Sequence, residues 1–261
     1  MISSGRYADK IAVVTGGAQG IGLAVATRMA REGATVTIAD RAEDATMAAV
    51  AGLRSDGLDA YGEIHDLEKR DGACSLYGNV IERHGRVDVA VHNVGGTIWA
   101  KPFWDYCAEE IEAEINRSLW PTIWCCHAVL PHLLAAGQGA IVNVGSVATR
   151  GINRLPYAAA KGGVAALTVA LAQDLEDRPI RVNCVAPGGV NVTRVTPRNP
   201  AEPTEADKAG FEAVVRQTLR DTPMARFGEV DEIAAAICFL GAPEASYITG
   251  QTLYVAGGGI G

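Results

Sequence analysis

Apolar residues recur along this chain in two alternating rhythms. Short runs rich in valine, isoleucine and alanine, at residues 10–15, 35–39, 58–64, 87–91, 140–144, 180–186 and 252–255, have the length and β-branched content of buried strands. Between them apolar positions return every three or four residues, most clearly at 24–31, 109–134 and 156–175, as on one face of a helix. Such alternation predicts an α/β protein with a doubly wound, seven-stranded parallel sheet and helices on both faces, in one domain over residues 1–261. Residues 188–226 break the rhythm. They carry Pro197, Pro200, Pro203 and Pro223 and are far longer than an ordinary strand-to-helix connection, so they read as a partly helical lid or as a surface excursion.

The first predicted strand runs into Gly16-Gly-Ala-Gln19-Gly20-Ile21-Gly22. Glycines at this spacing allow a sharp turn and let backbone N–H groups and the positive end of the next helix approach a pyrophosphate, the Rossmann arrangement for a dinucleotide. The second strand ends at Asp40, whose carboxylate can accept hydrogen bonds from the ribose hydroxyls and repel a 2′-phosphate, which favours NAD over NADP. Arg41 beside it offers the opposite possibility, a guanidinium able to receive that phosphate.

Tyr157 and Lys161 stand four residues apart just after Pro156, and Ser146 follows the strand at 140–144. Proline is tolerated in a helix's first turn, and positions i and i+4 share a face, so tyrosine and lysine should point into one cleft. Together the three side chains offer a phenol able to act as base, a cation that favours its anion, and a hydroxyl to hold a reacting oxygen, as alcohol–ketone chemistry requires. Singly each has a plainer explanation, since Tyr-x-x-x-Lys also marks any amphipathic helix and a serine after a strand is often a cap.

With 261 residues, 48% of them hydrophobic, the chain can bury one sizeable core. A net charge of −7 without a basic block excludes the footprint of a nucleic-acid binder. The six cysteines show no Cys-x-x-Cys spacing, the N-terminus has no apolar leader core, and no stretch offers about 18 uninterrupted apolar residues, so a soluble cytoplasmic protein without a membrane partner is expected. His92, Cys125, His127 and His132 lack a metal-ligand pattern, and no metal is expected.

Taken together, Thr15-Gly-Gly-Ala-Gln-Gly-Ile-Gly22, Asn93-Val-Gly95, Asn116, Ser146, Tyr157-Ala-Ala-Ala-Lys161 and Pro187-Gly188 resemble the short-chain dehydrogenase/reductase family across essentially the whole chain. One departure is His92 at a position where the family commonly has asparagine. The resemblance implies Tyr157 as base, Lys161 on the nicotinamide ribose, Ser146 on the reacting oxygen and Asn116 in a water relay to the lysine. It also implies cofactor contacts from Asp66 and Leu67 at the adenine, Asn93 and Gly95 at the adenosine ribose, and Pro187, Gly188, Val190 and Thr193 at the nicotinamide, together with a homotetramer. Asp66 could equally cap the helix after it.

Stretches at 93–102, 119–126, 147–154 and 197–199 are similar to dehydrogenases that act on cis-dihydrodiols of aromatic carboxylates of the benzoate and p-cumate types. The resemblance implies NAD-dependent oxidation of a ring carbinol. Such an anionic substrate calls for a cation, with Arg154 the first choice among Arg150, Arg154, Arg194, Arg198 and Lys101, and for an apolar cover that Trp99, Phe103 and Trp104 could supply unless they are core. A carbonyl reductase acting on another alcohol or oxoacyl substrate, and a nucleotide-binding protein without catalysis, are the other readings; the intact Ser146, Tyr157 and Lys161 weigh against the latter.

Overall fold

A computed structural model describes residues 5–197, 199, 202 and 204–259. Strand β1 (Ile11–Thr15) leads into α1 (Gly20–Arg31), β2 (Thr35–Asp40) into α2 (Glu43–Ser55), β3 (Ala60–Ile64) into α3 (Arg70–His84), and β4 (Val89–His92) into α4 (Ala108–Ser118). Helix α5 (Trp120–Ala136) precedes β5 (Gly139–Val144), and α6 (Leu155–Asp174) precedes β6 (Ile180–Pro187). After these come β7 (Val190–Asn191), α7 (Glu205–Arg220), β8 (Gly228–Glu229), α8 (Val230–Gly241) and β9 (Thr252–Val255). Seven strands form one parallel sheet in the order β3-β2-β1-β4-β5-β6-β9. Winding reverses between β1 and β4, and that reversal opens a crevice at the carboxyl ends of the strands.

Successive strand residues face opposite sides of the sheet, so each apolar run feeds two cores. Ala12, Val14, Val36, Ile38, Val89 and Val91 pack on one face with Val25, Met29 and Ile237, whereas Val13, Ala39, Ala90 and Ile141 pack on the other with Leu76, Tyr77, Val129 and Leu133. This two-sided burial is why the strands read as continuous hydrophobic runs.

The helical pattern at 109–134 is two helices. Pro121 has no N–H to donate to the Arg117 carbonyl and its ring crowds it, so helical bonding restarts around Leu119, which is φ −116° and ψ −55°. The stretches 108–136 and 155–174 are apolar and long enough by composition to cross a membrane, yet Cys125, Val129 and Leu133 of α5 and Tyr157, Ala160 and Val164 of α6 are buried within the fold. Strands β7 and β8 pair in a parallel ribbon that the apolar pattern did not reveal, since two residues are too few to show a period.

His92, where the resemblance predicts asparagine, sits in a buried side-chain network. Its ring nitrogens meet the Tyr77 hydroxyl at 2.8 Å and Asn143 Oδ1 at 2.9 Å, with Cys126 Sγ at 3.4 Å from Nδ1. Asn143 in turn donates to Thr168 Oγ1 at 3.0 Å, joining α3, β4, β5 and α6 through one chain of polar groups. Burial depresses the His92 pKa to about 4, although the bond to Asn143 pulls the other way. The imidazole is neutral in the fold and protonates in the unfolded chain below about pH 6.5. Its contribution is therefore present above that pH and is lost as pH falls toward 4, by up to about 3 kcal/mol. Urea unfolding at pH 7 and pH 4.5 should show this fall, and His92→Asn should flatten it; an unchanged pH slope in the variant would show that His92 is not its source.

Candidate active site

The crevice at the switch point has a volume of about 390 Å³, within the usual range for a ligand site, and Gly16, Gln19, Gly20, Ile21, Asp40, Asp66, Leu67, Asn93 and Gly95 line it. Ser146, Arg154, Tyr157, Lys161, Pro187, Gly188 and Val190 line it too. Residues far apart in sequence thus converge because they lie at the carboxyl ends of the strands or in the turns and helices that follow them.

The glycine-rich turn is shaped by close approach. A Cβ on Gly22 would lie 2.1 Å from the Gly16 carbonyl oxygen, so only glycine lets α1 begin against the turn, and Gly22 itself stays behind the cleft wall. Asn93 locks the arrangement: its N–H donates to Thr15 Oγ1 at 3.0 Å and its Nδ2 to the Gly16 carbonyl at 3.0 Å. At the α1 N-cap, Gln19 makes no capping bond from its side chain, and the first turn has no acidic residue. The helix start therefore presents its positive end to the crevice, a good fit for a pyrophosphate. The Gln19 amide instead reaches across the cleft, accepting from the N–H groups of Val195 and Thr196 at 2.8 and 3.1 Å and donating to the Thr196 carbonyl at 3.3 Å.

At the far end, Asp40 Oδ1 accepts from the N–H groups of Arg41 and Ala42 at 2.8 and 3.2 Å, which fixes its carboxylate at the end of β2. Asp66 both lines the cleft and turns the chain, accepting from Glu68 N–H at 3.2 Å; the helix cap of α3 is Lys69.

Helix α6 carries the reactive pair. Pro156 lies in its first turn, and Tyr157 and Lys161 are both buried against the cleft. Lys161 Nζ donates to the Val144 carbonyl at the end of β5, at 2.7 Å. A Cβ on Gly95 would stand 2.9 Å from that Nζ, so glycine at φ +141° makes room for the ammonium. Ser146 Oγ accepts from Ala148 N–H at 3.0 Å and heads a short 3₁₀ turn over Val147–Arg150. It is thus a cap and a cleft residue at once. Its accepted bond leaves the hydroxyl proton available for another oxygen.

Three expectations need correction. Asn116 is exposed and outside the cleft lining; Ser118, two residues on and nearly opposite around α4, is the buried residue beside Gly95 and Lys161, and its Oγ accepts from Gly96 N–H at 3.2 Å. No sequence signal marked that face, because Glu109, Glu112 and Asn116 are exposed while the equally polar Glu114 and Ser118 are buried. Thr193 is likewise exposed and off the lining, where Val192 takes its place one residue earlier. Trp99 is half-buried away from the cleft, with its N–H bonded to Glu114, and Trp104 is 84% exposed. Val94, Val214, Val215 and Phe227 supply the apolar wall instead.

Of the cations, Arg154 and Arg194 reach the cleft, Arg150 lines a small adjoining hollow that Arg154 also borders, and Lys101 pairs with Glu110 at 2.6 Å. Arg198 lies outside the described residues. Among the described residues no group of three or more histidine, cysteine, aspartate or glutamate side chains is placed to hold a metal.

The family model for short chain dehydrogenases matches residues 10–203. The chain belongs to the short-chain dehydrogenase family. A nicotinamide dinucleotide is the cofactor this membership implies, and the turn, helix end and cleft just described suit one. The protein is 50% identical over 260 residues to a 1,6-dihydroxycyclohexa-2,4-diene-1-carboxylate dehydrogenase of Pseudomonas putida, covering 98% of this chain and 94% of that one. A dehydrogenase of the same name from Acinetobacter baylyi is 46% identical, over 99% of both chains. A 2,3-dihydroxy-2,3-dihydro-p-cumate dehydrogenase of Pseudomonas putida is 36% identical, over 95% of this chain and 93% of its own. Among solved structures, that of gox2181 superposes with a TM-score of 0.86 at 32% identity, covering 96% of this chain and 95% of that one. This short-chain dehydrogenase thus has dihydrodiol dehydrogenases among its relatives.

The two α4 residues should separate in a stability measurement. Asn116→Ala should change unfolding free energy by less than about 0.5 kcal/mol, while Ser118→Ala, which strands the buried Gly96 N–H, should cost about 1–3 kcal/mol. Equal effects in urea titration would contradict the assignment of faces.

Proposed function

We propose that this chain oxidises a cis-dihydrodiol of an aromatic carboxylate with NAD⁺, its preferred substrate being the 1,6-dihydroxy-diene carboxylate named for its relatives at 50% and 46% identity. The observation that carries the reading is the meeting of Ser146, Tyr157, Lys161 and Arg154 in one cleft with a dinucleotide-shaped turn. Bound NAD⁺ would accept hydride from the carbinol carbon that bears a hydrogen. The Tyr157 oxygen takes the hydroxyl proton as the ketone forms. Lys161, fixed on the Val144 carbonyl, supplies positive charge on the same helix face as Tyr157 and reaches the nicotinamide ribose, while Ser146 donates to the reacting oxygen.

Arg154 pairs with the substrate carboxylate, and Val94, Val214, Val215 and Phe227 cover the ring. In the 1,6-diol the carboxylate sits on the carbon next to the new ketone. The product is then a β-keto acid, which loses CO₂ to give a catechol; in the 2,3-diol of the p-cumate type enolisation alone restores aromaticity. Asp40, held at the end of β2, favours NAD⁺ over NADP⁺. Residues 188–226 act as the lid, which the Gln19 bonds to Val195 and Thr196 support, as do Gln217 contacts to Ile152 N–H and the Arg150 carbonyl at 2.9 and 3.1 Å.

Exposed Leu155 and Val169 on α6 and Leu134 on α5 favour subunit pairing through these helices, as in a homotetramer. All six cysteines are free thiols, which supports a cytoplasmic setting.

Purified protein given NAD⁺ and the 1,6-diol carboxylate should generate NADH absorbance, and Tyr157→Phe should lower kcat by about a hundred-fold or more while dinucleotide binding survives. Undiminished turnover in that variant would remove Tyr157 from the base role. Arg154→Leu should raise KM for the carboxylated diol by about ten-fold and leave a neutral cis-diol unaffected. Equal losses on both substrates would assign Arg154 a structural role.

A further inference from the structure

Arg41 follows Asp40 directly and lines the same end of the cleft, next to the carboxylate that would meet a ribose 2′ position. It is not idle there. Arg41 Nη1 lies 3.2 Å from Glu68 Oε1, and Arg117 Nε of α4 donates to the same oxygen at 2.9 Å. Glu68 is held from its own side as well, since its N–H donates to Asp66 Oδ1 at 3.2 Å and Arg117 is only 17% exposed while Arg41 is 50% exposed. The Glu68 carboxylate is thus shared between a largely buried guanidinium, Arg117, and a half-exposed one, Arg41.

We propose that Glu68 is a determinant of cofactor selectivity, occupying the Arg41 guanidinium and holding it away from the 2′ position beside Asp40. The proposal rests on the NAD reading of the cleft. A 2′-phosphate would compete with Glu68 for the Arg41 guanidinium and approach the Asp40 carboxylate, whereas a ribose hydroxyl needs only the Asp40 oxygens. The sequence did not show this, because Arg41 and Glu68 are 27 residues apart and meet only through the parallel pairing of β2 with β3.

Calorimetric binding of NAD⁺ and NADP⁺ without substrate tests it in wild type, Asp40→Ser, Asp40→Ser/Glu68→Gln, and that double variant carrying Arg41→Ala. Glutamine keeps an acceptor oxygen for both arginines and removes only the charge that holds Arg41, and thermal melting confirms that each variant is folded. In the Asp40→Ser background, Glu68→Gln should lower the ratio of the NADP⁺ Kd to the NAD⁺ Kd by about ten-fold, and Arg41→Ala should restore it. A ratio that Glu68→Gln leaves unchanged, or a gain that survives loss of Arg41, would overturn the assignment. Wild-type protein that binds NADP⁺ more tightly than NAD⁺ would overturn the NAD reading instead, a result seen before any variant is made.

Discussion

The Lys161 ammonium, buried and bonded to the Val144 carbonyl, is the contact on which the site depends. A buried cation must be matched by oriented acceptors or it will not remain charged. Here the acceptor is the carbonyl at the end of β5, an interior strand of the sheet. Glycine at position 95 leaves space for the ammonium, and α6 sets Tyr157 one turn away on the same face. Strand, glycine and helix each constrain one side chain, and the reactive geometry follows from the sheet rather than from a flexible loop.

The cofactor end uses the same economy. One turn supplies close backbone approach through Gly22, a helix end without a side-chain cap, and a glutamine that ties the turn to residues 195 and 196. Gln19 thereby ties the glycine-rich turn to the segment at 195 and 196 across the crevice. Asp40 and Arg41 at the end of β2 meet Glu68 only because β2 packs beside β3.

The chain's α/β class, its seven parallel strands and the convergence of Ser146, Tyr157 and Lys161 were legible before any coordinates, because burial on both sheet faces and helical i, i+4 spacing leave direct marks in sequence. What was hidden depends on rotation or distance. Asn116 and Ser118 differ by about half a helical turn, so a polar residue near the right position was assigned to the wrong face. Thr193 missed the cleft by one residue, as a short extended segment reverses its side chains at every step. Trp99 looked like ring cover from its chemistry, yet the wall comes from α7 and Phe227, whose approach to the site no local pattern announces.

A crystal structure of the protein with NAD⁺ and a non-reacting hydroxylated aromatic carboxylate tests the central claim most directly. The Tyr157 oxygen should lie within hydrogen-bond reach of the ligand hydroxyl, with Lys161 between it and the nicotinamide ribose. A phenol turned away from the ligand, with another side chain on that hydroxyl, would contradict it.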